Sequence, residues 1–234
     1  MTKLIVFDLD GTLAALGRGI EPKPLSLLRA LEDAGARIAI CSGKPTYYLC
    51  GFMRQVGIGA PILVGENGAV IQMGVDLPPR EYYVAPYSAA ARHSIRLLRE
   101  KIEEAVPGMW YQPNEVGLTP FPRNDAEFAA VQGVIDALKD DIEDVIVYRH
   151  CDSFDITPNG ITKKSGLERL GALLGIAPEE TITVGDGVND YPMFEYAGHA
   201  VGVNVKDTAR VDVNFAGIGE ALGYLLEIMK KQHV

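Results

Sequence analysis

Cysteine is scarce in this chain: only Cys41, Cys50 and Cys151 occur, an odd number with no C-x-x-C pair. Such usage argues against a disulfide framework, and reduced thiols in a cytoplasmic protein are expected. Long apolar runs are missing too. The run Leu4-Ile5-Val6-Phe7 is typical, against the roughly 20 residues a spanning helix needs, so no membrane partner is expected. Asp8 and Asp10 interrupt the first apolar stretch, which excludes a signal-peptide reading. No Lys/Arg run stands out, and 31 acidic side chains outnumber 22 basic ones for a net charge of −9. Phosphate backbones are bound by concentrated positive charge, so a nucleic-acid partner is not expected. Repeats and low-complexity segments are absent as well. What remains is ordinary globular composition, 47% apolar and 23% charged, over 234 residues. That is enough for one large domain or two modest ones with a proper core.

Along the chain, apolar runs at residues 3–7, 37–41 and 62–64 read as buried strands. Between them, residues 23–34 read as a helix stopping at Gly35, and Leu49, Phe52, Met53 and Val56 share one helix face. Strand alternating with helix is the grammar of a parallel doubly wound sheet. Asn67-Gly68 between two apolar triplets then signals a hairpin. Residues 81–159 form a different module. It holds a strand at 81–84, a helix bearing Ala91, Ile95, Leu98, Ile102 and Ala105, and a Pro- and aromatic-rich stretch at 109–122. A second helix follows, opened by Asn124 and Glu127 in capping-box relation, and strands at 145–148 and 153–156 complete an antiparallel α+β unit. From Ile161 the first grammar returns, with a helix to Leu174, a strand at 181–184, a helix after Asn189, a strand near 200–203 and a last helix ending near Lys230. The expectation is an α/β fold: a doubly wound, Rossmann-like parallel-sheet core of residues 1–80 and 160–234, with 81–159 inserted as an α+β cap domain. Ligand sites in open α/β sheets lie beyond the carboxyl ends of strands. The chemistry is therefore expected at Asp8, Ser42 and Asp186.

Asp8-Leu9-Asp10-Gly11-Thr12 follows a buried strand. Turns use Asp and Gly freely, but two acids fixed at a strand tip repel one another without a cation between them. With about one residue in twenty matching by chance, D-x-D-G-T arises in about one unrelated chain in a thousand. Ser42-Gly43-Lys44 offers a hydroxyl and backbone amides before a helix, which suits a phosphate oxygen, although Ser-Gly also simply caps turns. Thr162-Lys163-Lys164-Ser165 opens a helix, where a lysine opposes the macrodipole unless an anion shares the site. Gly185-Asp186-Gly187-Val188-Asn189-Asp190 begins like a dinucleotide fingerprint. A carboxylate aimed at a pyrophosphate defeats that reading, and the oxygen-rich set suits a hard cation such as Mg²⁺.

Together, D-x-D-G-T, a Ser after the second strand, a Lys heading a later helix and G-D-G-x-N-D resemble the haloacid dehalogenase superfamily. The inserted module between the second and third motifs is similar to the Cof-type branch with its type IIB cap. Residues 197–205 also look like that branch's strand and Asn-containing loop. Two departures stand out: Lys44 occupies a place often held by Arg, and Lys164 one often held by Gly. The resemblance implies a phosphoric monoester hydrolase. In it, Asp8 is the nucleophile that becomes an aspartyl phosphate, and Asp10 the general acid and then base. Mg²⁺ is held by Asp8, the backbone carbonyl of Asp10, and Asp186, with Thr12, Asn189 and Asp190 in the surrounding layer. Ser42, Gly43 and Lys163 hold the other phosphoryl oxygens.

A cap of this kind contacts the organic part of the substrate. Candidates lie in residues 110–123 and 148–152, with Arg123 and His150 among them. Trp110, Tyr111 and Phe121 read more simply as module core or sheet face, and His93 and His199 as structural or surface residues. Glu66-Asn67-Gly68 reads as turn chemistry near the site's edge. The leading function is a Mg²⁺-dependent phosphatase for a small soluble phosphate monoester, a sugar phosphate or phosphoglycolate. The alternatives are a phosphomutase of the phosphomannomutase type, which residues 148–167 partly resemble, and a non-catalytic sugar-phosphate-binding protein.

Overall fold

The computed structural model describes residues 1–232. The chain folds into two compact units, Met1–Tyr83 joined with the chain from Thr162 onward, and Val84–Ile161.

The first unit is built on β1 (Leu4–Phe7), whose four side chains are all buried. Alternation along the strand explains this. Ile5 and Phe7 join one apolar cluster with Leu28, Leu49, Met53 and Leu225, while Leu4 and Val6 join another with Leu167, Leu170 and Met193. The strand is therefore covered on both faces, as central parallel strands are. Helices α1 (Pro22–Asp33) and α2 (Thr46–Val56) pack on the first face. β2 (Arg37–Cys41) and β3 (Ile62–Gly65) extend the sheet in parallel, and β4 (Val70–Met73) returns antiparallel from β3. With β5 (Glu81–Val84), β10 (Thr181–Gly185), β11 (His199–Val203) and β12 (Val213–Phe215), the order is β12-β11-β10-β1-β2-β3-β4-β5. α5 (Lys163–Leu174) and the one-turn α6 (Tyr191–Phe194) cover the second face, and α7 (Ile218–Lys231) covers the first. β1 pairs in parallel with both β2 and β10. The chain thus leaves β1 toward one edge and later returns to its other side, so strand order reverses at β1, where such sheets open a crevice.

The second unit holds α3 (Ala89–Ala105), α4 (Asp125–Ala137) and two antiparallel hairpins, β6 (Trp110–Gln112) with β7 (Thr119–Phe121) and β8 (Val145–Arg149) with β9 (Phe154–Pro158). Leu118 and Ile156 exchange main-chain hydrogen bonds of 2.9 Å each way and join the hairpins. Leu98, Ile102, Val131, Ile135, Phe154 and Ile156 form its core.

Three sequence expectations need correction. Residues 81–83 fall in the first unit rather than in the inserted module, and the strand pairs as β5 beside β4; a lone strand's donors and acceptors need a partner, and the open edge of β4 supplies one. The unit boundaries accordingly fall at 83/84 and 161/162 rather than 80/81 and 159/160. Glu127 does not close the capping box on Asn124. Its amide donates to the Asn124 side chain at 3.0 Å, but its carboxylate reaches one residue further back, to Arg123 N–H at 2.8 Å. Among the described residues no helix is long and apolar enough to cross a membrane.

Candidate active site

The register of the sheet gathers the motifs before any side chain is considered. Phe7 stands opposite Ile40 and Val184. Asp8, Ser42 and Asp186 therefore follow adjacent strands at the same edge. The Asp8 amide extends the pairing by donating to the Val184 carbonyl at 2.9 Å, which fixes the main chain of the D-x-D-G-T loop at its start.

Helix α5 delivers Lys163 to this edge. Its start is pinned by a reciprocal cap: the Thr162 hydroxyl accepts from Ser165 N–H at 3.2 Å, and the Ser165 hydroxyl accepts from Thr162 N–H at 3.0 Å. Lys163 is 1% exposed, and its Nζ lies 2.6 Å from Asp8 Oδ1 and 2.6 Å from Asp190 Oδ1. The other oxygen of Asp190 accepts from the main-chain N–H groups of Asp186 and Gly187 at 2.9 and 3.0 Å. The Thr12 hydroxyl donates to Asp186 Oδ1 at 2.7 Å. Gly11 passes so close that a Cβ there would lie 2.5 Å from Asp186 Oδ2, at a φ of +93° that favours glycine anyway.

One carboxylate oxygen each from Asp8, Asp186 and Asp190 lie within 4.8 Å of one another. A single ammonium offsets three carboxylates, and the titration behaviour reflects the deficit. Burial pushes the Asp8 carboxyl up to about 7; Lys163 opposes this, while Asp190 and Asp186 add to it. Asp186 is raised as well, chiefly by burial and further by Asp190. Burial alone would lower Lys163, but the fields of Asp190 and Asp8 outweigh it, and the lysine stays an ammonium. An all-oxygen donor set with surplus negative charge fits a hard divalent cation.

The remaining residues fall around this cluster. The Asp10 carboxylate lies outside it and faces Lys44, with 3.9 Å between Oδ2 and Nζ. Ser42 is buried, and its hydroxyl accepts from Lys44 N–H at 3.2 Å; Gly43 beside it is half-buried. Asn189 is exposed, whereas Asp190 is fully buried. Lys164 points elsewhere: it is 40% exposed and 3.9 Å from Glu195. Sequence reasoning underrated Asp190 and did not pair Lys44 with Asp10. The four-residue spacing of Asp186 and Asp190 held the clue, since an acid just inside a helical turn caps the amides before it. In the inserted unit, the side chains singled out as candidates have local partners. Trp110 packs edge-on to Phe121 with centroids 5.1 Å apart, Arg123 donates to the Gly108 carbonyl, and His150 lies 3.3 Å from Asp155. His199 is tied to Asp212 at 3.2 Å and Tyr224 at 2.9 Å, as its structural reading expected.

With this geometry in place, comparison with known proteins is decisive. The sequence pattern of the haloacid dehalogenase-like hydrolases matches residues 5–106 and 123–209. The chain belongs to this family. A phosphoglycolate phosphatase from Methanoculleus marisnigri is 27% identical, the match covering 100% of this chain and 97% of the relative. A 5-amino-6-(5-phospho-D-ribitylamino)uracil phosphatase from Bacillus subtilis is 22% identical over 85% of this chain and 86% of its own length. Among solved structures, a haloacid dehalogenase-like hydrolase from Bacteroides thetaiotaomicron superposes with a TM-score of 0.76 at 21% identity, covering 96% of this chain and 100% of its own. A sugar phosphatase of subclass IIB gives 0.70 at 23% identity, covering 95% and 98%. The chain is thus a hydrolase on the α/β fold of this family, with an acidic cluster able to hold a metal ion.

Proposed function

We propose that the protein is a Mg²⁺-dependent phosphatase that hydrolyses a small phosphate monoester, phosphoglycolate or a sugar phosphate, through an aspartyl phosphate on Asp8. The observation that carries this reading is Asp8 itself: a buried carboxylate at a strand tip, gripped at 2.6 Å by a buried lysine and clustered with Asp186 and Asp190. The named activities of the relatives are phosphatases, which favours water over a sugar as the final acceptor.

In this mechanism a carboxylate oxygen of Asp8 attacks phosphorus as the bond from phosphorus to the leaving oxygen breaks. Asp10 gives its proton to the departing alkoxide. Then, as a carboxylate, it takes a proton from the water that attacks the aspartyl phosphate, releasing phosphate and restoring Asp8. The Ser42 hydroxyl, already accepting from Lys44 N–H, keeps its own hydrogen to donate to a phosphoryl oxygen, and Gly43 offers main-chain contact beside it. Lys163 supplies fixed positive charge as negative charge develops. Asp8, Asp186 and the carbonyl of Asp10 would hold Mg²⁺, which when bound neutralises the phosphoryl charge against the carboxylates. Thr12 and Asp190 orient that set: Thr12 fixes Asp186, and Asp190 fixes Lys163 and the 186–187 main chain. Asn189 stands at the rim. The inserted unit, entering the sequence between the second and third motifs, serves as the cap that selects the organic part of the substrate.

A phosphate-release screen over phosphoglycolate, sugar phosphates and nucleotides, with and without Mg²⁺, tests the reading. Release from small monoesters only when Mg²⁺ is present is expected. No release across the panel would overturn it.

A further inference from the structure

The turn Glu66–Gly68 closes the β3–β4 hairpin, yet its geometry exceeds what a hairpin needs. Three successive residues take left-handed conformations: Glu66 at φ 51°, Asn67 at φ 54° and Gly68 at φ 103°. Asn67 tolerates this region, but the Glu66 side chain disfavours it, so the surroundings must hold it there. The main chain of the turn grips two segments of the candidate active site at once. On one side, Asn67 N–H donates to the Ser42 carbonyl at 2.9 Å and Glu66 N–H to the Lys44 carbonyl at 3.0 Å. On the other, the turn lies directly against the start of α5. A Cβ on Gly68 would lie 2.3 Å from the Thr162 carbonyl oxygen, and one on Gly166 would lie 2.5 Å from Gly68 Cα.

Arg169 closes this contact. Its guanidinium donates to the Gly68 carbonyl, and its Nε to the Ser165 carbonyl at 3.3 Å. The side chain is half-buried and forms no ion pair among the described residues. A partly desolvated charge without a counter-ion is costly, and here its donors are spent on main-chain carbonyls of two different segments.

We infer that Arg169 is a positioning residue: by clamping the Glu66–Gly68 turn to α5, it holds the Ser42–Lys44 loop and Lys163 as one rigid phosphate-receiving unit. The inference rests on the function proposed above for Ser42 and Lys163. A merely structural arginine would affect melting alone; a positioning one affects the reaction in folded protein.

The test uses the whole chain with Mg²⁺ and p-nitrophenyl phosphate, together with amide hydrogen exchange. In Arg169→Met, kcat falls about tenfold or more while KM moves less than about threefold, because small misplacements weigh most in the transition state. The Glu66 and Asn67 amides exchange at least about tenfold faster. Arg169→Lys, which reaches only one carbonyl, falls between and replaces Arg169→Met should the latter fail to fold. Wild-type kcat, or wild-type exchange at both amides, in a folded Arg169 variant overturns the clamp. If the wild-type protein releases no phosphate, the proposed function falls separately, and exchange still judges the clamp.

Discussion

Two adjacent lysines show how far a single residue's setting decides its use. Successive helix positions differ by about 100° in direction, so both cannot address one phosphate from regular positions. Lys163 is sealed between Asp8 and Asp190, while Lys164 faces outward toward Glu195. Lys163→Ala is expected to lower kcat/KM on the order of a hundredfold or more, and Lys164→Ala to change it little, by steady-state kinetics on one substrate. The reverse order would place the charge-bearing lysine wrongly. Asp8 gives a second prediction, of sign rather than size. Its folded-state pKa is raised by burial to about 7 from 3.8. The carboxyl therefore favours the folded state fully below pH 3.8, and that contribution is lost as pH rises through 7. Without divalent cation, Asp8→Asn should thus gain in Tm relative to wild type between pH 5 and pH 8. A difference that stays constant, or moves the other way, would contradict the charge surplus. Mg²⁺ reverses the balance by favouring the ionised carboxylates. Its addition at pH 8 should raise the wild-type Tm, and much less that of Asp186→Ala.

At the scale of elements, strongly apolar or patterned segments were legible, and the short edge strand β12 was not. The apolar runs of β1 to β3 are unbroken, as strands buried on both faces require, and the helix faces of α2 and α3 carry enough residues for a period to show. β12 has three residues, too few for any period, and is held by its neighbours rather than by its own pattern, whereas the one-turn α6 sits where a helix was expected after Asn189. β5 was legible as a strand but not as part of the core sheet, because the choice between pairing back onto β4 and pairing forward into the inserted module is not encoded in the strand's own residues. Caps were legible, and they allow a controlled comparison. Thr162 caps α5 and Asn124 caps α4 through the same kind of side-chain acceptor. Replacing either by Ala is expected to cost about 1 kcal/mol in denaturant unfolding. Only Thr162→Ala should also lower kcat, since its helix begins with Lys163; equal kcat values would mean the cap does not orient that lysine.

For the whole molecule, the alternation of strand and helix, its interruption and its return were enough to foresee an α/β core, and the register then brings motifs distant in sequence to one edge. Asp8 and Asp186 could be named from acidic motifs at strand tips, while the choice of Lys163 over its neighbour came from the family resemblance. Their cross-links could not be named, since the Thr12–Asp186 and Lys163–Asp190 contacts depend on side-chain packing across many residues. Substrate choice is less legible still: aromatic and basic residues of the inserted unit look alike whether they pack or bind, and Trp110 and Arg123 do have local partners. The account as a whole stands on covalent chemistry at one side chain. Turnover of substrate ³²P-labelled in its phosphoryl group, quenched in acid within the first turnovers and followed by borohydride reduction and peptide mapping, examines it directly. The account predicts label on the protein and homoserine in place of Asp8, both absent in Asp8→Asn. Steady phosphate release with no label on the chain, or with label at any other residue, would contradict it.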